Sequence, residues 1–76
     1  MAARKFARFD PTALYGVLDA ERQSRGLSWS DLETEIGVAA STMKRLEQGG
    51  RFELDGILFI AQWLGRPVED FLRRAP

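Results

Sequence analysis

The sequence predicts an all-α fold, a compact bundle of about five short helices in one domain. Three observations carry this. Apolar residues recur at spacings of three and four along most of the 76 residues. Helix-start and helix-stop residues punctuate the chain at short intervals. No segment shows the apolar–polar alternation of a strand pair, so no strand pairing is expected. The length suits one small domain, and a hydrophobic share of 45% suits a globular chain better than a disordered tail.

Residues 1–9 read as a basic arm, with Arg4, Lys5 and Arg8 set between apolar residues, and residues 10–76 as the domain. Asp10 and Pro11 open the first helix, as cap and first helical residue. Leu14, Val17 and Leu18 share its inner face, and Gly26 ends it. The second helix starts with a capping box, Ser28 at the cap and Asp31 at its third position. Asp31 is one methylene shorter than the usual Glu. Leu32 and Ile36 point inward and Gly37 stops the helix.

The third helix covers about 40–48, with Met43 and Leu46 inward, Val38 anchoring the turn before it, and Gly49-Gly50 closing it. Ala39 offers no side-chain acceptor, a defect costing about 1 kcal/mol relative to Ser or Thr. A fourth helix is expected over residues 54–64, facing inward with Leu54, Ile57, Leu58, Ala61 and Leu64. Gly65 ends it, and Pro67 opens a short fifth helix through about Arg73 that carries Val68, Phe71 and Leu72.

The stretch from Gly26-Leu27-Ser28 through Glu35-Ile36-Gly37-Val38 to Ser41-Thr42-Met43-Lys44-Arg45-Leu46-Glu47-Gln48-Gly49 resembles the XRE-type, lambda-repressor-like helix-turn-helix family. The Trp63-Leu64-Gly65 ending of helix four and the segment Pro67-Val68-Glu69-Asp70-Phe71-Leu72 fit the same pattern. The likeness covers about residues 14–72, with the motif at about 28–48. It implies a lambda-repressor-like DNA-binding domain whose third helix is the recognition helix. Two positions depart from it. Trp29 stands where family members often carry a phosphate-contacting Gln, and Glu33 where they favour a small Ala. Trp29 either donates its indole N–H to a phosphate or packs over the helix junction. Glu33 either turns outward or pairs with Lys44 or Arg45.

Geometry reaches the same face independently. Opposite Met43 and Leu46 lie Ala40, Ser41, Lys44, Arg45 and Gln48, which share one side of a helix. These are the expected base contacts, since Arg and Lys pair with guanine and Gln with adenine in the major groove. The expected phosphate contacts are Ser28, Trp29, Thr42 and Arg51, with Arg4 and Lys5 in the arm. The arm either follows a groove or is a solvated tail.

Net charge is zero, 11 cationic against 11 acidic residues, so affinity for phosphate depends on where the charges sit. Helix four is apolar beyond one stripe, because Phe59, Ile60 and Trp63 add to its inward set. Either the bundle buries them all, or Phe59, Trp63, Phe71 and Leu72 form a homodimer interface.

The chain has no cysteine and no histidine, which removes disulfides, thiolate metal sites and the commonest general base. With no phosphate-cradling loop or nucleophile–base pair, neither an enzyme nor a cofactor, metal or small-molecule site is expected. No apolar run approaches the ~20 residues of a membrane span, so the expectation is a cytoplasmic protein. The leading function is sequence-specific binding of double-stranded DNA by a small transcriptional regulator, a repressor. The alternative is a protein-interaction or dimerisation module that keeps the fold without specific DNA binding.

Overall fold

The computed structural model describes residues 7–74. Four α-helices are present: α1 Pro11–Ser24, α2 Trp29–Ile36, α3 Ala40–Arg45 and α4 Leu54–Leu64. A 3₁₀ turn, Leu46–Gln48, extends α3, and a second, Val68–Phe71, follows α4. The chain begins and ends in short strands, β1 Ala7–Phe9 and β2 Leu72–Arg74.

The helix starts follow the local chemistry. The Asp10 side chain accepts the Ala13 N–H at 3.0 Å, with Pro11 in the first turn. The capping box of α2 closes both ways: Ser28 Oγ accepts the Asp31 N–H at 3.0 Å, and Asp31 Oδ2 accepts the Ser28 N–H at 2.8 Å. The shorter Asp thus completes the box. Gly37 ends α2 in the left-handed region (φ 86°, ψ 16°), a conformation that side chains with a Cβ resist.

Each helix and both 3₁₀ turns contribute to one core: Leu14, Leu18, Leu32, Met43, Leu46, Ile57, Ile60 and Phe71. Among the described residues no polar or charged side chain is buried. The core therefore rests on apolar burial alone, which is modest at this size.

Three expectations need correction. The fifth helix is replaced by the Val68–Phe71 3₁₀ turn and β2. The end of the arm is a strand, for β1 pairs antiparallel with β2 in the register Ala7↔Arg74, Arg8↔Arg73 and Phe9↔Leu72. The Asp10 N–H continues this tie by donating to the Phe71 carbonyl at 2.7 Å. Three-residue strands are too short to show alternation, so the pairing left no local signal.

The third correction is the phase of α4. Ile57, Ile60 and Ala61 are its buried residues, whereas Leu54 is 66% exposed and Leu58 41% exposed. The inner face is turned from the expected one, and Ile60 rather than Leu54 enters the core. A helix apolar nearly all round carries little phase information.

This phase is testable by urea unfolding. Ile60→Ala should cost about 2–5 kcal/mol. Leu54→Ala should stay within about 0.5 kcal/mol. The reverse order would restore the face expected from sequence.

Candidate nucleic-acid interface

Residues Gly37, Val38 and Ala39 join α2 to α3. Ala39 makes no side-chain cap, as its chemistry requires. The missing acceptor comes from Glu33, whose Oε1 accepts the Ala40 N–H at 2.8 Å. The Glu33 backbone carbonyl also accepts the Gly37 N–H at 2.9 Å. One residue thus closes the end of α2 and the start of α3. Glu33 makes an ion pair with neither Lys44 nor Arg45; it reaches along the turn to backbone instead.

The α-helix ends at Arg45, and the backbone tightens into the 3₁₀ turn. Gly49, at φ 81° and ψ −165°, then closes it by donating its N–H to the Leu46 carbonyl. The expected helix to Gln48 is therefore α-helical only as far as Arg45. Gln48 is displaced from the ideal α-helical track, because 3₁₀ geometry turns in three residues rather than 3.6.

Met43 and Leu46 are fully buried. Ser41, Lys44, Arg45 and Gln48 are exposed, and Ala40 is half-buried. Thr42, expected at phosphate, is half-buried and lines a cleft of about 450 Å³ between α3 and α4. Arg45, Arg51, Phe52 and Phe59 also line this cleft, and the Arg45 guanidinium carbon stands 6.0 Å from the Phe52 ring centroid.

The electrostatic pattern is uneven. Among the described residues the ion pairs are Arg22–Asp19, Arg25–Glu21, Arg66–Asp70 and Arg73–Asp10. Lys44, Arg45 and Arg51 take part in none. From Ala40 to Phe52 the chain carries Lys44, Arg45 and Arg51 against the single acid Glu47, a local net charge of +2. Acids gather on α2, where Asp31, Glu33 and Glu35 are all exposed.

Trp29 packs. Its ring stacks on Tyr15, with centroids 5.7 Å apart and planes 16° from parallel. The Arg22 guanidinium stands 4.7 Å from the Trp29 centroid. Arg22 also donates to Asp19 at 2.8 Å and to the Leu27 carbonyl at 2.8 Å. It therefore ties the end of α1 to the start of α2, a role the sequence does not announce. Helix spacing pairs it with Asp19, but nothing local announces Leu27 or Trp29. Burial, then the Asp19 and Glu47 carboxylates, push the Tyr15 phenol above its ordinary value.

Ser28 lends an oxygen to its cap and keeps its hydroxyl proton to donate. Beside it, bonds from the Ser28 N–H and then from its side chain hold the Asp31 carboxyl below the usual aspartate value. An anion thus occupies the start of α2, beside Ser28, one of the phosphate contacts expected from sequence.

Of the dimer residues expected from sequence, Phe71 is 1% exposed and belongs to the core. Arg66 lies over its ring, 5.4 Å from the centroid. Trp63 is half-buried; its Nε1 donates to Glu35 at 3.1 Å and the Arg25 guanidinium covers it at 4.4 Å. Leu72 is half-buried in β2, and Phe59 remains 48% exposed. Arg4 and Lys5 lie outside the described residues. Among the described residues no group of His, Cys, Asp or Glu is placed to hold a metal ion. No described helix is long and apolar enough to cross a membrane.

Comparison with family models, curated proteins and solved structures gives no match.

Two outcomes follow from these caps. Glu33→Ala should lower stability by about 0.5–2 kcal/mol, the range for a lost N-cap. Glu33→Gln, which keeps an acceptor oxygen, should lose much less; equal losses in thermal unfolding would rule out the cap. For Asp31, a lowered folded pKa means stability present above the unfolded value of about 3.9 and lost as pH falls through the folded one. The gap in melting temperature between wild type and Asp31→Asn should therefore be widest at neutral pH and narrow below about pH 4. A gap that stays constant with pH would exclude this contribution.

Proposed function

We propose that the protein binds double-stranded DNA with α3 in the major groove, as a small transcriptional regulator that represses by occupying its operator. The observation that carries this is the contrast in cation pairing. Arg22, Arg25, Arg66 and Arg73 are ion-paired, whereas Lys44, Arg45 and Arg51 on and after α3 are exposed and make no ion pair among the described residues. Such cations give up no carboxylate partner when they meet phosphate or a guanine edge. Arg45 is the leading base contact, with Ser41 and Lys44 beside it and Ala40 and Gln48 at the ends of the face. Arg51, Ser28 and the arm residues Arg4 and Lys5 are assigned to phosphate.

A homodimer belongs to the same proposal, within a cytoplasmic protein. Leu54, Leu58 and Phe59 leave α4 with exposed apolar surface, although the chain is small. Two copies joined there would present two α3 helices to half-sites about 34 Å apart. Since Phe71 is buried, Phe59 takes the leading place in this interface.

One observation favours a second reading, a protein-interaction module without specific DNA binding. The Glu33 carboxylate, reaching from α2, caps the first turn of α3, and Asp31 occupies the start of α2. Both place negative charge near the proposed phosphate path.

Selection from a pool of random duplexes separates the two readings. Enrichment of an inverted repeat is expected. Arg45→Ala should weaken binding to the selected site by about 1–3 kcal/mol and relax base preference at one position. Flat enrichment at low salt, unaltered by Arg45→Ala, would leave the interaction module as the better account. For the dimer, Phe59→Glu should shift sedimentation from dimer to monomer at micromolar concentration. A wild-type protein that is monomeric with and without DNA would remove that part of the proposal.

A further inference from the structure

The ribbon of β1 and β2 holds an arrangement that stability does not favour. Arg8 and Arg73 face one another across the antiparallel pair. Like charges directly opposite on a sheet destabilise it. Arg73 is partly compensated: its Nε lies 3.3 Å from Asp10 Oδ2, and its Nη1 donates to the Asp70 and Leu72 carbonyls at 3.2 and 3.1 Å. Asp10 in turn spends an oxygen on capping α1. Nearby Asp70 pairs with Arg66. Arg8 is exposed and makes no ion pair among the described residues. It is the one cation outside the stretch from α3 to Arg51, among those whose side chains are described, left in that state.

The start of α1, which follows β1 after Asp10, is held against the 3₁₀ turn that extends α3. The Thr12 hydroxyl donates to the Glu47 carbonyl at 3.4 Å, across the start of α1 and the 3₁₀ turn. A Cβ built at Gly49 would stand 3.9 Å from the Pro11 ring. Arg8 is three residues before Pro11, so chain length limits the distance between their Cα atoms to about 11 Å. A helix in a major groove about 12 Å wide has a phosphate backbone on each side. With α3 in such a groove, the strand that flanks its 3₁₀ end is the one Arg8 would meet.

We infer that the β-ribbon is a second contact to the DNA backbone, with Arg8 as the phosphate ligand and Arg73, held by Asp10, opposite it. This rests on the proposed DNA-binding reading and extends it to a face outside the helix-turn-helix. In sequence, Arg4 and Lys5 precede Arg8, so the same strand of phosphates could be followed by the arm. The cost of placing Arg8 opposite Arg73 then has a use: it holds the Arg8 cation on a paired strand instead of a tail.

The test compares wild type, Arg8→Gln, Arg8→Lys and Arg45→Ala on a mixed random-sequence duplex, titrated at several salt concentrations, with thermal unfolding alongside. Arg8→Gln should lower affinity about five- to tenfold at 0.1 M salt and reduce the salt slope by about one. Arg8→Lys should retain both. The melting temperature of Arg8→Gln should equal or exceed that of wild type, because a repulsion has been removed. Unchanged affinity and slope for Arg8→Gln, while wild type binds and Arg45→Ala binds less, would overturn the ribbon contact alone. Loss of binding to phosphatidylserine vesicles in place of duplex would overturn it in favour of a membrane surface. Absence of any duplex binding by wild type at low salt would overturn both proposals.

Discussion

The turn between α2 and α3 is the constraint on which the rest of the molecule depends, and Glu33 holds it. A six-residue helix with no cap of its own is far below the length at which an isolated helix persists in water. Two kinds of support make it stable here. Met43 and Leu46 anchor it to the core from one side. The Glu33 carboxylate and carbonyl fix its beginning and the end of α2 together. Such a turn behaves as a single unit: its two helices cannot tilt independently without breaking one of those bonds. The same carboxylate lies close to the face proposed to meet DNA. Stability and affinity thus make opposing demands on one side chain, and this chain accepts an anion there in exchange for an ordered helix.

Much of this was legible from the residues. The caps at Asp10 and Ser28, the stop at Gly37 and the inward pair Met43 and Leu46 each depend on neighbours within one helical turn, so local sequence reports them. Glu33 capping Ala40 was not legible, because its partner is seven residues away and lies outside the spacing of a capping box. The Arg22 bridge escaped for a similar reason. The phase of α4 failed on different grounds: nearly every position there is apolar, and only packing against α1 and α2 decides which of them turn inward. The ribbon depended on residues at opposite ends of the chain. Of the candidate interface, the exposed face of α3 could be read in advance, whereas Thr42 in the cleft could not; for Trp29 and Phe71 the sequence left packing and contact both open, and only tertiary neighbours decide for packing.

A formal charge of zero conceals a strongly sorted surface. Arg22 on α1, Arg25 at its end and Arg66 after α4 are matched to carboxylates three or four residues away, and Arg73 on β2 to Asp10, just past β1. Those charges cancel locally. At physiological ionic strength screening acts over about 8 Å. The sum over the whole molecule therefore matters less than which cations make no ion pair with a carboxylate. Lys44, Arg45, Arg51 and Arg8 are in that position among the described residues, and Asp31, Glu33 and Glu35 make α2 their counterpart. A neutral protein can in this way be directional.

The pairing of β1 with β2 also has a consequence for how the chain reaches its native state. Helical turns join near neighbours, and such contacts form early because little chain must be ordered first. The ribbon joins the two ends of the described fold, and the entropy of closing a loop rises with its length. It should therefore zip last, after the helices have brought Pro11 and Phe71 together. By the same logic it should be the first element to open. Its few amide bonds then form the least cooperative edge of the protein, where hydrogen exchange begins without unfolding the bundle.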